Sequence, residues 1–203
     1  MKKLLPVIFS LALTALSLNS NAQSAADSFS KLKINTDTPE GTLSSWWAIV
    51  DARYMADYQE CKKEPSITPE SRRLAFAAKS QIASVALTDV FEYNRKYVPI
   101  CHHRVFVRTI SQQQQVTSSR VEILVNIKDA TAMPAGTVLT GPYSIEPRTL
   151  GKEYKYVLLK EKNKWLISDV QVRDPLGGFH PTRDWSPEYK KQTPSFFTYI
   201  MEQ

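Results

Sequence analysis

One stripe of large side chains limits what this chain can fold into. Leu43, Trp46, Trp47, Val50, Tyr54, Tyr58 and Cys61 recur at three- and four-residue steps, the spacing that gathers side chains on one face of an α-helix. Two tryptophans and two tyrosines on one face need a broad apolar surface to lie on, and a curved β-sheet supplies it. Thr38-Pro39-Glu40 stands just ahead of the stripe. A threonine can cap the free N–H groups of a first turn, proline suits the first helical position, and a carboxylate favours the positive end of the helix dipole. Ordered structure is therefore expected to begin at Thr38. Residues 23–37, polar, Ser-rich and aperiodic, read as a flexible leader.

The same start signal returns at Thr68-Pro69-Glu70, and Leu74, Ala78, Ile82 and Val85 carry a second helix onward. The pattern loses definition through Val90, Phe91 and Tyr93, and Pro99 ends any helix there, because its ring disfavours helical geometry in the residue before it. Beyond Pro99 the period changes to two. Arg104 to Ile110 is rich in Val, Phe and Ile, and Val121, Ile123, Val125 and Ile127 share one face of another strand. Gln112–Gln115 reads as part of a turn or a strand end. A loop with Pro134, Gly136, Gly141 and Pro142 follows, with room for a short strand at Thr137–Thr140. Residues 153–160 and 165–172 form a hairpin around Glu161-Lys162-Asn163-Lys164. Trp165 and Ile167 share a face of it, while Leu166, Val170 and Val172 demand a bulge or a two-sided core. Residues 174–203 are loop-like and proline-rich, yet they carry Phe179, Trp185, Tyr189, Phe196, Phe197 and Tyr199, so this C-terminal extension is expected to pack on the domain.

The first 22 residues read as a cleavable signal peptide. Lys2 and Lys3 precede the interrupted apolar stretch Leu4 to Leu18, and Ser20 and Ala22 are the small residues that signal peptidase requires, which places cleavage before Gln23. The stretch is shorter than the about 20 apolar residues of a spanning helix, and no later segment is long enough either. Losing the two lysines takes the formal net charge from +6 to +4. No Lys/Arg cluster is interleaved with aromatics, so nucleic acid is not expected as a partner. The compartment is then periplasmic or extracellular. There, Cys61 and Cys101, the two cysteines of the chain, are expected to form a disulfide. Closing such a loop removes about 4 kcal/mol of unfolded-state entropy in the chain-entropy model.

Few residues carry chemistry. Cys101-His102-His103 has metal-ligand types, but neighbouring strand side chains point to opposite faces and the spacing of a zinc site is missing, so neither metal nor cofactor is expected. Asp57 lies on the apolar side of the first helix. Desolvated there it could serve as a general base, and paired with Arg53, one turn earlier, it would be structural; the pair, taken as partly exposed, is the preferred expectation. Asp51, at the edge of the stripe, is a weaker candidate. Trp46, Trp47, Tyr54 and Tyr58 are the candidate pocket residues. Nucleophile elbows, paired zinc-binding histidines on a helix and glycine-rich phosphate loops do not occur in the sequence.

Thr38-Pro39-Glu40-Gly41-Thr42-Leu43 running into Trp46-Trp47, together with Lys164-Trp165-Leu166-Ile167-Ser168-Asp169-Val170 in the last long strand, resembles the NTF2-like superfamily over residues 38–173. The resemblance implies an α+β fold in which N-terminal helices pack against a curved, mostly antiparallel sheet, the NTF2-like/cystatin-like cone. It carries over no catalytic motif and leaves activity open. The expected function is a non-catalytic exported module that holds a small ligand or an envelope protein, with the outer sheet face as the surface for any homodimer. The alternative is a small isomerase, lyase or hydrolase with Asp57 as base.

Overall fold

A computed structural model describes residues 29, 31–63, 69–87, 103–173 and 185–187. The signal peptide, Cys101, His102, His180 and most of the C-terminal extension lie outside the described residues. The fold is α+β. Helix α1 (Pro39–Lys63) and helix α2 (Pro69–Ile82) precede strands β1 (Phe106–Thr117) and β2 (Arg120–Asp129). Helix α3 (Pro142–Thr149), strands β3 (Lys152–Glu161) and β4 (Lys164–Arg173) and the two-residue strand β5 (Ser186–Pro187) follow. The strands form an open, curved antiparallel meander in the order β1-β2-β3-β4-β5.

Helix α1 begins as its sequence dictates. The Thr38 hydroxyl accepts the Gly41 N–H at 3.0 Å, and the Thr38 carbonyl accepts the Thr42 N–H at 3.0 Å. Its buried surface is twice as wide as the aromatic stripe alone. Leu43, Trp46, Val50, Tyr54, Asp57 and Cys61 form one buried row, and Thr42, Ser45, Ile49, Arg53, Ala56 and Glu60 form the next. Polar members of the second row hold α1 to its neighbours. Thr42 Oγ1 donates to the Trp165 carbonyl at 2.9 Å, and Ser45 Oγ accepts the Asn35 N–H at 2.8 Å.

That last bond corrects the flexible-leader expectation for its second half. Phe29 is fully buried, Leu32 and Ile34 pack against the core, and the Thr36 carbonyl accepts the Trp165 N–H at 2.7 Å. Three apolar side chains scattered among polar ones were enough to order the segment without any helical or strand period. Gly41 permits the approach, since a Cβ there would stand 2.8 Å from Asn35 Cγ.

The sheet's inner face is a row of alternating residues: Val121, Ile123, Val125 and Ile127 from β2, Tyr154, Tyr156 and Leu158 from β3, and Trp165, Ile167 and Val170 from β4. Those last three share a face because β4 carries one extra residue. Val157 opposes Asp169 and Leu158 opposes Ile167, so Ser168 is a bulge, and its hydroxyl bonds the Val157 carbonyl at 3.0 Å. The β3–β4 turn has Lys162 at φ 47° and Asn163 at φ 66°, the two left-handed residues of a type I′ turn.

Two local expectations need correction. Helix α2 stops at Ile82. Val85 and Ala86 then run parallel to β4, with the Ile167 N–H donating to the Val85 carbonyl and the Leu87 N–H to the Ile167 carbonyl, both at 2.9 Å. Of the two readings of Gln112–Gln115, a turn or a strand end, the structure has the second: the run lies in the last half of β1 and pairs with Val121–Leu124. Residues 137–140 form no strand, and the chain instead makes α3, whose Pro147 lacks the N–H that would bond one turn back. The left-handed Gly151 (φ 78°) then donates its N–H to the Glu146 carbonyl at 2.9 Å and turns the chain into β3.

Candidate functional site

At one end of the sheet's inner face, among the described residues, a cleft of about 210 Å³ opens. Antiparallel pairing builds it. Phe106 faces Asp129, Ile127 faces Lys152, and Tyr154 stands beside Val125, so the start of β1, the end of β2 and the start of β3 bring inner-face residues to one place. Arg104, Phe106, Ile127, Asp129, Lys152 and Tyr154 line the cleft, and Pro147 of α3 closes one side. Its volume exceeds the roughly 150 Å³ of an apolar cavity that admits benzene.

The lining is half apolar and half charged. Ile127 and Tyr154 are buried and give a greasy floor. Asp129 is already engaged: its Oδ1 accepts the Thr131 N–H at 2.8 Å, and its Oδ2 lies 3.6 Å from Arg148 Nη2. Arg148 Nη1 also donates to the Thr131 carbonyl at 2.6 Å, which ties α3 to the end of β2. Lys152 is exposed at the rim. The Arg104 guanidinium lies 5.9 Å over the Tyr54 ring, and Tyr54 packs 5.6 Å from Phe106. Among the described lining residues, Arg104 and Lys152 are cationic and Asp129 is the carboxylate, held by Arg148 and a backbone amide.

A second cluster fixes the strand that carries Phe106. Arg108 grips Asp51 of α1 through both Nη atoms at 2.8 Å each, with its guanidinium 5.3 Å from the Phe106 ring and 5.6 Å from the Trp47 ring. A planar guanidinium suits this combination of bidentate pairing and stacking. Asp51, a weak candidate in the sequence, thus has a structural role as the anchor of β1 on α1.

The residues singled out in the sequence are distributed differently. Trp46 and Tyr54 are fully buried core residues. Trp47 is half-buried, edge-on to Tyr156 with centroids 6.3 Å apart, and its Nε1 donates to Tyr156 Oη at 3.4 Å. Tyr58 is half-buried between His103 (ring centroids 5.8 Å) and Lys62, whose Nζ lies 4.6 Å from the ring. None of these four, nor Asp57, lines the cleft, although Tyr54 sits directly behind Phe106. Asp57 Oδ2 accepts from Arg53 Nε at 2.7 Å, as expected, but the pair is buried, with side-chain exposures of 1 % and 7 %. The expectation of a partly exposed pair was wrong, because the second buried row of α1 covers Arg53 as well.

Cys61 is buried at the end of α1, no described cysteine is a free thiol, and Cys101 lies outside the described residues. Among the described residues no three His, Cys, Asp or Glu side chains gather as a metal site, and no helix is long and apolar enough to cross a membrane. Sequence reading missed Arg104, Asp129 and Lys152, whose one shared signal is an inward position at strand ends that meet only in the folded sheet. Comparison with protein-family models, with curated proteins and with solved structures returns no match.

Proposed function

We propose that this chain is a non-catalytic, exported, NTF2-like binding module that holds a small ligand in the inner-face cleft. The observation that carries this is the cleft itself: about 210 Å³, floored by Ile127, Tyr154 and Phe106 and bordered by Arg104 and Lys152. The lining mixes apolar with charged side chains, and in small-molecule pockets such polar groups fix the ligand's orientation. A small carboxylate with a ring or short chain matches this lining, its head toward Lys152 and its body over Tyr154. The signal peptide places the mature protein, from Gln23, in the periplasm or outside the cell, and the Cys61–Cys101 disulfide belongs to that compartment.

The enzyme reading requires Asp57 to meet a substrate. Its carboxylate is 1 % exposed and bonded to Arg53, away from the cleft, which favours the binding module. Calorimetric titration of the mature protein with benzoate, benzyl alcohol and benzylamine tests the proposal. Saturable binding of benzoate, tightened over the neutral and cationic analogues and weakened by Lys152→Glu, is expected. Heats of dilution alone from all three would overturn it. Capture of an envelope protein that is unaffected by Lys152→Glu would move the function to assembly.

A further inference from the structure

Strand β1 is an edge of the sheet: β2 pairs with one side of it, and no described strand pairs with the other. Unpaired edges invite a further strand, and proteins usually blunt them with charge or proline. Here neither occurs from Thr109 to Ser119, and every residue from Thr109 to Thr117 is exposed. Ile110 and Val116, both β-branched, are 41 % and 45 % exposed.

The order of residues in this run is nearly two-fold symmetric. Read outward from Gln113, Gln112 matches Gln114, Ser111 stands against Gln115, Ile110 against Val116, and Thr109 against Thr117. An antiparallel pair of identical strands with its axis at Gln113 therefore sets amide beside amide in the middle of the run, Gln113 against itself and Gln112 against Gln114. Such cross-strand pairs are the favourable units of a sheet, and a symmetric dimer needs a self-complementary patch. The outer sheet face suits this role less well, since Glu122, Lys128, Glu153, Lys155 and Arg173 stud it and Trp185 lies over two of them.

We propose that a second copy of this chain pairs with β1 edge to edge about Gln113, joining the two sheets. Register shifts at Ser111 and Val116 flank the regular run Gln112–Gln115. They twist the strand and confine close pairing to its middle, so the dimer is weak, below the roughly 1,200 Å² of a standard interface. The cleft stays open in it: Phe106 is seven residues from the axis, about 24 Å along the strand. The dimer is thus independent of the proposed ligand site.

Sedimentation velocity on the mature protein from micromolar to millimolar concentration tests it. Wild type should pass from monomer to dimer within that range. Gln113→Lys and Gln113→Glu each place like charges opposite one another at the axis, and each should raise the dissociation constant at least tenfold. An equimolar mixture of the two should dimerise again. A wild type that remains monomeric throughout, or a dimer indifferent to both variants, would overturn the proposal. Should a variant lose its fold, hydrogen exchange on wild type decides: amides of Ile110–Val116 gain protection with concentration if the edge pairs, and keep a constant rate if it does not.

Discussion

Cutting the Arg53–Asp57 pair should cost far more than a helix-surface ion pair does. An exposed i, i+4 pair contributes about 0.3–0.5 kcal/mol. This pair has a 2.7 Å Nε–Oδ2 contact and side-chain exposures of 7 % and 1 %, so water does not screen it. Asp57→Leu removes the carboxylate that the buried Arg53 guanidinium bonds, and removing one partner of a buried pair typically costs about 3–5 kcal/mol. For a chain of this size that is a fall in Tm of about 6–20 °C. Arg53→Met should cost a comparable amount by removing the guanidinium that Asp57 Oδ2 bonds at 2.7 Å. The double variant Arg53→Met/Asp57→Leu removes both charges together and should recover most of the loss, giving a coupling of at least about 2 kcal/mol. Urea unfolding of the four proteins, with equal m-values as a check on two-state behaviour, measures the cycle. Single variants that lose under about 1 kcal/mol and add without coupling would refute the claim that this pair is desolvated.

Trp46→Ala should cost about 3–5 kcal/mol, as large buried aromatics do, whereas Trp47→Ala, half-buried against Tyr156, should cost about half as much; thermal melts would rank the two. Gly151→Ala should destabilise by about 1–3 kcal/mol in the same assay, because φ is 78° there and a Cβ would stand 2.5 Å from Asn126 Oδ1. Thiol titration of the unfolded, unreduced mature protein should find no free cysteine, and two titratable thiols would end the proposed Cys61–Cys101 bridge.

What the sequence made legible was local. Thr38-Pro39-Glu40 and the repeat of that signal near Pro69 mark helix starts because capping acts within four residues. In β4, Leu166, Val170 and Val172 demanded a bulge or a two-sided core, and the extra residue at Ser168 decides for the bulge. What stayed hidden depends on partners distant in the chain. Phe29, Leu32 and Ile34 follow no period, and the contacts that hold the segment, the Trp165 N–H on the Thr36 carbonyl and the Asn35 N–H on Ser45 Oγ, join residues distant in the chain. The burial of Arg53 and Glu60 on α1 could not be read from a scale that counts apolar residues, since that row is polar. Arg104, Asp129 and Lys152 come from three strand ends, and nothing in their neighbours forecasts that they meet. The Gln112–Gln115 run left a turn and a strand end both open, and its pairing with Val121–Leu124 decided for the strand.

The central claim is that a small anionic ligand occupies the inner-face cleft at the start of β3. An amide chemical-shift map of the mature protein, titrated with benzoate, addresses it residue by residue. Saturable shifts should concentrate at Phe106, Ile127, Lys152 and Tyr154 and vanish in Lys152→Glu, while Asp57 and its neighbours on α1 stay unmoved. Shifts centred on Asp57, or none anywhere at millimolar benzoate, would contradict it.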